Sequence, residues 1–96
     1  MPYDDTLIQI LGSSPTNTAM KQILGDVQEP QGQRTTFIDI EKLKFDIHKC
    51  LFIDYLEPLI DLTTFLRIDG VIYKVLKIKT YSDYMEIDLY QLRRQV

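Results

Sequence analysis

His48 and Cys50 are the two residues of this sequence best suited to metal binding or nucleophilic chemistry. They are two positions apart, so on a strand their side chains point to the same face. A zinc site needs at least three protein ligands, and the chain has one His and one Cys, so only carboxylates could complete it. Parallel neighbours also rarely point at each other, as a thiol and its base must. We expect a surface His beside a half-buried Cys, with no metal and no covalent catalysis.

Two other chemical signatures are weak. None of the four glycines opens a helix, so the sequence has no phosphate-binding loop. Its neighbouring carboxylates, such as Glu86 with Asp88, are explained by solubility. The sequence therefore predicts a protein that is not an enzyme and needs no cofactor.

Tyr81 and Tyr84 lie close to Lys77 and Lys79. Exposed aromatic rings beside basic residues can stack single-stranded bases, as OB-type barrels do. Tyrosines in such positions are more often cross-strand partners that stabilise a hairpin. Both interpretations stay open at the level of the sequence.

The composition is that of an acidic chain with enough hydrophobic residues to form a folded domain. Its 96 residues are 45% hydrophobic, which is enough for one domain over residues 1–96 with one modest core. The net charge of -3 argues against a general nucleic-acid clamp, which is normally basic. The acid excess lies in residues 1–70, which hold eleven acids and six bases; residues 71–96 hold three acids and five bases.

Three features bear on the compartment. A single Cys excludes an internal disulfide, and no apolar run approaches the length of a membrane span. Asp4 and Asp5 stand where a signal peptide needs positive charge. We expect a soluble intracellular protein that does not contact membranes.

The clearest structural signal is the pair Asp69-Gly70 between two apolar runs. Such a pair tolerates the positive backbone angles of a type I′ turn and predicts a β-hairpin. A second turn is predicted at Ser82-Asp83, followed by a half-buried strand in which Met85, Ile87 and Leu89 alternate with polar residues. The strand before it, 71–80, changes phase, which predicts a bulge near Val75-Leu76.

The rest of the chain predicts further strands. Residues 43–53 alternate as one long strand, and residues 54–64, with Pro58, form an irregular connection. Residues 5–11 and 20–28 predict two more strands, although residues 18–24 could instead form a short helical turn. The fold class is therefore all-β: a small antiparallel barrel, SH3-like or OB-like, of about six strands with long loops.

The order of these features resembles the head–tail connector proteins of tailed bacteriophages, of the head-completion or stopper (head closure) type. The matching segments are DTLIQIL, GDVQEPQG at 25–32, CLFIDY at 50–55 and FLRIDGVIYKVLKIKTYSDYMEIDL at 65–89. Within the last segment, Ile68, Gly70, Tyr73 and Val75 match the hairpin of that family. Relatives often carry Trp at the hairpin tip, where this chain has Tyr81. The turn and core residues expected of the hairpin pair are Gly70, Tyr73, Val75, Ile87 and Leu89.

The resemblance implies a mechanical function. Such proteins form a homo-oligomeric ring below the portal or adapter, close the DNA channel after packaging and provide the docking surface for the tail. They pass double-stranded DNA without sequence-specific binding, are assembled in the bacterial cytoplasm and end in the virion at the head–tail interface. Two alternatives stay open: a tail-completion or tail-terminator ring protein, and an OB-like module that binds single-stranded nucleic acid.

Two surfaces are predicted to serve this function. Apolar residues crowd positions 7–11 and 56–62 so closely that one face cannot bury them all. The predicted oligomer or partner interface is Leu7, Ile8, Leu56, Leu59, Ile60 and Leu62. A polar loop that can move at little cost is the predicted channel gate, with an ordinary surface loop as the alternative. It comprises Gln28, Pro30, Gln31, Gly32, Gln33, Arg34, Thr35 and Thr36.

Overall fold

The computed structural model describes residues 6–29, 37–40 and 43–93, and within them the chain is all-β. The strands are β1 (Thr6–Gly12), β2 (Lys21–Gln28), β3 (Phe37–Ile40), β4 (Leu43–Asp46), β5 (Lys49–Ile53), β6 (Phe65–Ile68), β7 (Val71–Thr80) and β8 (Met85–Gln91). The predicted fold class is confirmed. Among the described residues, no helix has the length and apolarity to cross a membrane.

Six strands close into an antiparallel barrel in the order β1-β2-β5-β8-β7-β6, with β6 pairing back onto β1. Closure gives each barrel strand a neighbour on both sides, although the two halves of β2 pair on different sides. Strands β3 and β4 form a separate two-stranded sheet. The prediction of a small barrel of about six strands is therefore confirmed.

Strand β2 changes partner at its middle, and this change lets the barrel close. Residues 21–25 pair with β1, whereas residues 26–28 pair with β5. Gly25 lies at the change, where a Cβ atom would stand 2.7 Å from Leu51 Cδ1 and 3.2 Å from the carbonyl oxygen of Phe52. A larger residue here would require Leu51 Cδ1 and the Phe52 carbonyl to shift.

The barrel interior is filled by side chains that point inward from all six strands. The core cluster is Ile8, Ile10, Ile23, Leu51, Ile53, Ile60, Leu66, Ile68, Tyr73, Val75, Met85, Ile87 and Leu89. Tyr73, Val75, Ile87 and Leu89, the core residues expected of the hairpin pair, therefore lie in it. Because β-branched and Leu side chains dominate this cluster, its burial is the main source of stability.

The β6–β7 hairpin has the predicted turn. Asp69 and Gly70 have φ values of 52° and 78°, and Ile68 pairs with Val71 across them. Both central residues thus have the positive φ that a type I′ turn requires. Gly70 would accept a Cβ without collision, since nothing lies within 4 Å of that position, so its constraint is conformational.

The bulge in β7 is also confirmed. Val75 pairs with Leu89 and Lys77 with Asp88, so Leu76 is the extra residue. The following turn is closed by the Tyr81 N–H, which donates to the Tyr84 carbonyl at 2.9 Å. The bulge lets β7 pair with β6 at its start and with β8 along the rest of its length.

Two local predictions were wrong, and one alternative is ruled out. The segment 43–53 is not one strand, because β4 pairs with β3 while β5 belongs to the barrel. The helical turn at 18–24 is not formed, since residues 21–24 pair with β1. Strand β8 is not half-buried: Glu86 and Asp88, which point away from the core, are also buried. Their cross-strand neighbours on β5 and β7, such as Phe52 and Lys79, flank them on both sides.

Replacing Gly70 with valine should lower the free energy of unfolding by about 1 kcal/mol or slightly more, because a β-branched residue resists positive φ. Urea denaturation of the purified variant measures the change. The control is Gly70→Asn, which keeps a residue tolerant of positive φ and should stay close to the original stability. Equal stability of the valine and asparagine variants would contradict the turn assignment.

Candidate functional site

The connection between β5 and β6, residues 54–64, is irregular but held by its own hydrogen bonds; we call it the connecting loop. The Asp61 carboxylate accepts from the Thr63 N–H at 2.8 Å, and the Asp61 N–H donates to Thr64 Oγ1 at 2.9 Å. The buried Thr64 hydroxyl lies 3.2 Å from the Leu59 carbonyl. These hydrogen bonds therefore order the loop and give its outward side chains defined positions.

Glu57 anchors the connecting loop to the barrel. It is 2% exposed, and its carboxylate lies 2.8 Å from Lys21 Nζ at the start of β2. The same carboxylate accepts from the Tyr55 hydroxyl at 2.8 Å and from the Leu59 N–H at 3.2 Å. A buried carboxylate with three donors is stable as an anion and ties the loop to β2.

The ionisation of this anchor is set by its surroundings. Burial acts to raise the pKa of Glu57, but the hydrogen bonds from Lys21, Tyr55 and Leu59 outweigh it, so the pKa lies below its usual value of 4.5. Burial, together with the bond to Glu57, raises the pKa of Tyr55 to about 12. Neither group exchanges protons near neutral pH, so this cluster suits a structural role and not acid–base catalysis.

The connecting loop presents three leucines to solvent, and we call them the leucine patch. Leu56 is 46% exposed, Leu59 39% and Leu62 59%. Ile60, between them in sequence, is 4% exposed and belongs to the core. The interface predicted from the sequence therefore loses Ile60, because that side chain already fills the barrel.

A second apolar pair lies on the outer face of β1 and β2. Leu7 and Leu24 are directly opposite each other in the ladder, and each is about half exposed. Ile8, predicted at the interface, points inward and is fully buried. The alternation of side chains along β1 could have distinguished the outward Leu7 from the inward Ile8. Leu24 was not among the predicted interface residues, because the sequence does not show which residue lies opposite it in the sheet.

A groove of about 420 Å³ runs beside Leu24, and we call it the acidic groove. Its lining comes from β2, from the end of β5 and from the β7–β8 turn: Leu24, Gly25, Asp26, Gln28, Phe52, Ile53, Asp54, Asp83 and Tyr84. Gln28 Nε2 donates to Asp26 Oδ2 at 2.6 Å. This groove was not predicted from the sequence, since three separate segments form it.

The two tyrosines of the β7–β8 turn stack on each other. The ring centroids of Tyr81 and Tyr84 are 4.4 Å apart and the rings are inclined by 12°. Each ring therefore covers one face of the other, as expected of partners that stabilise a turn. Both remain partly exposed, and Tyr84 also lines the acidic groove.

His48 and Cys50 engage different partners. His48 Nδ1 accepts a hydrogen bond from the Gln91 N–H at 2.9 Å. The His48 ring packs against the Tyr90 ring, with 5.3 Å between the ring centroids. The Cys50 thiol donates to Asp88 Oδ1 at 3.5 Å. Over the described ranges, no three His, Cys, Asp or Glu side chains are arranged to hold a metal. Each of these three side-chain contacts is with a residue of strand β8.

The predicted gating loop lies mostly outside the described residues. Gln28 is its described member; it ends β2 and pairs with Cys50 of β5. Residues 30–36, which hold Pro30, Gly32 and the remaining predicted gate residues, are not described.

The chemistry of the site is that of contact surfaces. The leucine patch, the Leu7–Leu24 pair and the acidic groove all suit binding to another protein surface, through burial of apolar side chains and pairing of carboxylates with cations. Comparison of the chain with models of protein families, with curated proteins and with solved structures finds no match.

Proposed function

We propose that this chain is the subunit of a head–tail connector ring of a tailed bacteriophage, of the head-completion or stopper type. The ring would lie between the portal or adapter and the tail, close the DNA channel after packaging and provide the tail docking surface. The proposal rests on the resemblance of the segments at 25–32, 50–55 and 65–89 to that family, and on the leucine patch.

The leucine patch is the observation that carries most weight. Full burial of a leucine side chain contributes roughly 1.5–3 kcal/mol relative to full exposure. Covering the exposed parts of three leucines would therefore stabilise a complex considerably. Because Glu57 and the Asp61–Thr64 bonds already order the loop, a partner would not need to order it again. Pre-organised apolar anchors of this kind are typical of protein–protein contacts.

The closed barrel fits a subunit that assembles through side chains. With every barrel strand paired on both sides, neighbouring subunits would meet through loops and outer faces, without adding a strand to an edge. The acidic net charge of -3 fits a channel protein through which DNA passes without sticking, because phosphates are repelled. The closing element assigned from the sequence, residues 28–36, stays a prediction.

Replacing both Leu56 and Leu59 with aspartate should abolish ring formation while leaving the barrel folded. Buried aspartates would oppose the contact, and in the free subunit both positions face water. The measurement is electron microscopy of the variant mixed with portal–adapter complexes, because connector rings often form only on their platform. Circular dichroism and urea denaturation check the fold.

The matched control for this experiment is Met20→Asp, an exposed apolar position outside the leucine patch, which should still form rings. Ile60→Asp is unsuitable, since Ile60 is in the core and its loss would unfold the protein. Rings formed at the original yield by the double variant would show that the patch is not the interface.

The exposed Tyr81–Tyr84 pair favours a second candidate, binding of single-stranded nucleic acid. Lys79 precedes the pair, but its ammonium lies 3.9 Å from Glu86, and the neighbouring groove is acidic. Fluorescence anisotropy with a single-stranded oligonucleotide separates the candidates: salt-sensitive binding that is lost in Tyr81→Ala and Tyr84→Ala would favour this function over the connector. A tail-completion ring would differ in its platform, assembling on tail tubes and not on portal–adapter complexes.

A further inference from the structure

The acidic groove combines three carboxylates with an apolar floor. Asp26, Asp54 and Asp83 line it together with the side chains of Phe52 and Tyr84. None of the three carboxylates forms an ion pair with another described residue. A groove with free negative charge beside aromatic rings matches the guanidinium group, which pairs with carboxylates and stacks on ring faces.

The size of the groove suits a peptide. The described carboxylates include no group close enough together to hold a metal. The volume of about 420 Å³ lies within the range of roughly 300–1,000 Å³ that is usual for ligand clefts. A short segment with one or two long cationic side chains would fill it.

The chain itself carries such a segment at its end. The last six residues are QLRRQV, and Arg93–Arg94 is the only pair of adjacent Lys or Arg residues in the sequence. Arg93 is exposed, and it follows Leu92, whose N–H donates to the Ile72 carbonyl at 3.1 Å. Arg93 therefore directly follows a residue that is hydrogen-bonded to β7.

This arginine pair cannot reach Asp54 and Asp83 of its own chain. These two aspartates lie at the start of β8, beside Tyr84, whereas the arginines follow its end in sequence. The eight residue steps from Tyr84 to Leu92 span roughly 26 Å as extended strand. Arg94 is two residues after Leu92, at most about 7 Å along the chain, and an arginine side chain is much shorter than the remaining distance. A contact of the arginines with these two aspartates must therefore join different copies of the chain.

We propose that the acidic groove of one subunit binds the Arg93–Arg94 segment of the next. Asp54 and Asp83 pair with the guanidinium groups, and Tyr84 provides a ring face for one of them. Because the groove and the arginines are different surfaces of the chain, the contact is head-to-tail, and its repetition gives a ring where the rotation between subunits closes. This inference rests on the proposed ring function and names one of its interfaces.

The direct test uses the labelled peptide QLRRQV and the 96-residue chain carrying Arg93→Gln and Arg94→Gln, which removes the competing arginines. Fluorescence anisotropy should show binding of this peptide and no binding of QLQQQV. Adding Asp54→Asn and Asp83→Asn to the chain should weaken binding at least about tenfold, because charge-assisted bonds are lost. Adding Asp46→Asn and Asp69→Asn instead, which neutralises two exposed aspartates outside the groove, should change it less than about twofold.

Absence of peptide binding, or equal binding to both neutralised chains, would overturn the inference. A charge exchange then relates the contact to the ring. Rings on portal–adapter complexes should be lost in Asp54→Lys with Asp83→Lys, lost in Arg93→Glu with Arg94→Glu, and restored when all four changes are in one chain. If the variants changed only in the groove or only in the arginines still form rings, the contact between groove and arginines is wrong and the ring function stands. If the peptide binds but the original chain forms no ring, the ring function is wrong and the contact stands.

Discussion

Replacing Glu57 with alanine should lower the free energy of unfolding by about 3 kcal/mol, because the hydrogen bonds that this buried carboxylate accepts are lost. The variant loses the Lys21 contact and leaves the Tyr55 hydroxyl and the Leu59 N–H without their acceptor. Urea denaturation followed by circular dichroism measures the change. Glu57→Gln keeps an acceptor of the same shape and should lose less than the alanine variant.

The same carboxylate should make the protein sensitive to acid. Since the pKa of Glu57 is lower in the folded chain than its usual 4.5, its stabilisation is present above pH 4.5 and is lost as the pH falls through the lowered value. Hydrogen bonds from Thr63 and Thr64 lower the pKa of Asp61 in the same direction. Thermal unfolding between pH 7 and pH 3 should therefore show a weaker acid dependence in Glu57→Gln than in the original chain.

These measurements also bear on the leucine patch, because Glu57 orders the loop that presents it. If the loop is anchored as described, Glu57→Ala should impair ring formation even though Leu56, Leu59 and Leu62 are unchanged. An alanine variant within about 0.5 kcal/mol of the original stability would mean that Glu57 is not the anchor.

Replacing Gly25 with valine should cost about 3 kcal/mol, the upper part of the usual range for overpacking. The added Cβ would stand 2.7 Å from Leu51 Cδ1, which can move, and 3.2 Å from the carbonyl oxygen of Phe52, which belongs to the β2–β5 ladder. Moving that carbonyl separates β2 from β5 at the point where the barrel closes. Urea denaturation measures the loss.

Alanine variants at Gly25 and Gly70 distinguish the cost of a steric collision from the cost of backbone strain. Gly25→Ala should lose less than Gly25→Val, because it adds only the Cβ atom. Gly70→Ala adds the same atom in open space, so its cost of about 1 kcal/mol comes from positive φ alone. If Gly25→Val were no less stable than Gly70→Ala, the close approach at Gly25 would be wrong.

Several features of the fold were predictable because they depend on neighbours in sequence. The Asp69-Gly70 turn follows from the few residues that accept positive φ. The bulge at Leu76 follows from a phase change in the alternation of β7, since strand side chains must alternate between two faces. The same alternation places Ile87 and Leu89 in a core. Short strands separated by turns then favour a closed barrel of about six strands.

The sequence by itself thus determined the strands of the barrel, its turns and most of its inward-facing side chains, because each depends on local propensity and alternation. Only the tertiary structure decided which apolar residues stay outside. Ile60 is buried and Leu24 is exposed because distant strands and the connecting loop meet there. Glu57 became an anchor because Lys21, far away in sequence, lies 2.8 Å from it. The acidic groove, too, exists only where β2, β5 and the β7–β8 turn come together, since charge and shape at a surface depend on which segments the closed sheet makes neighbours.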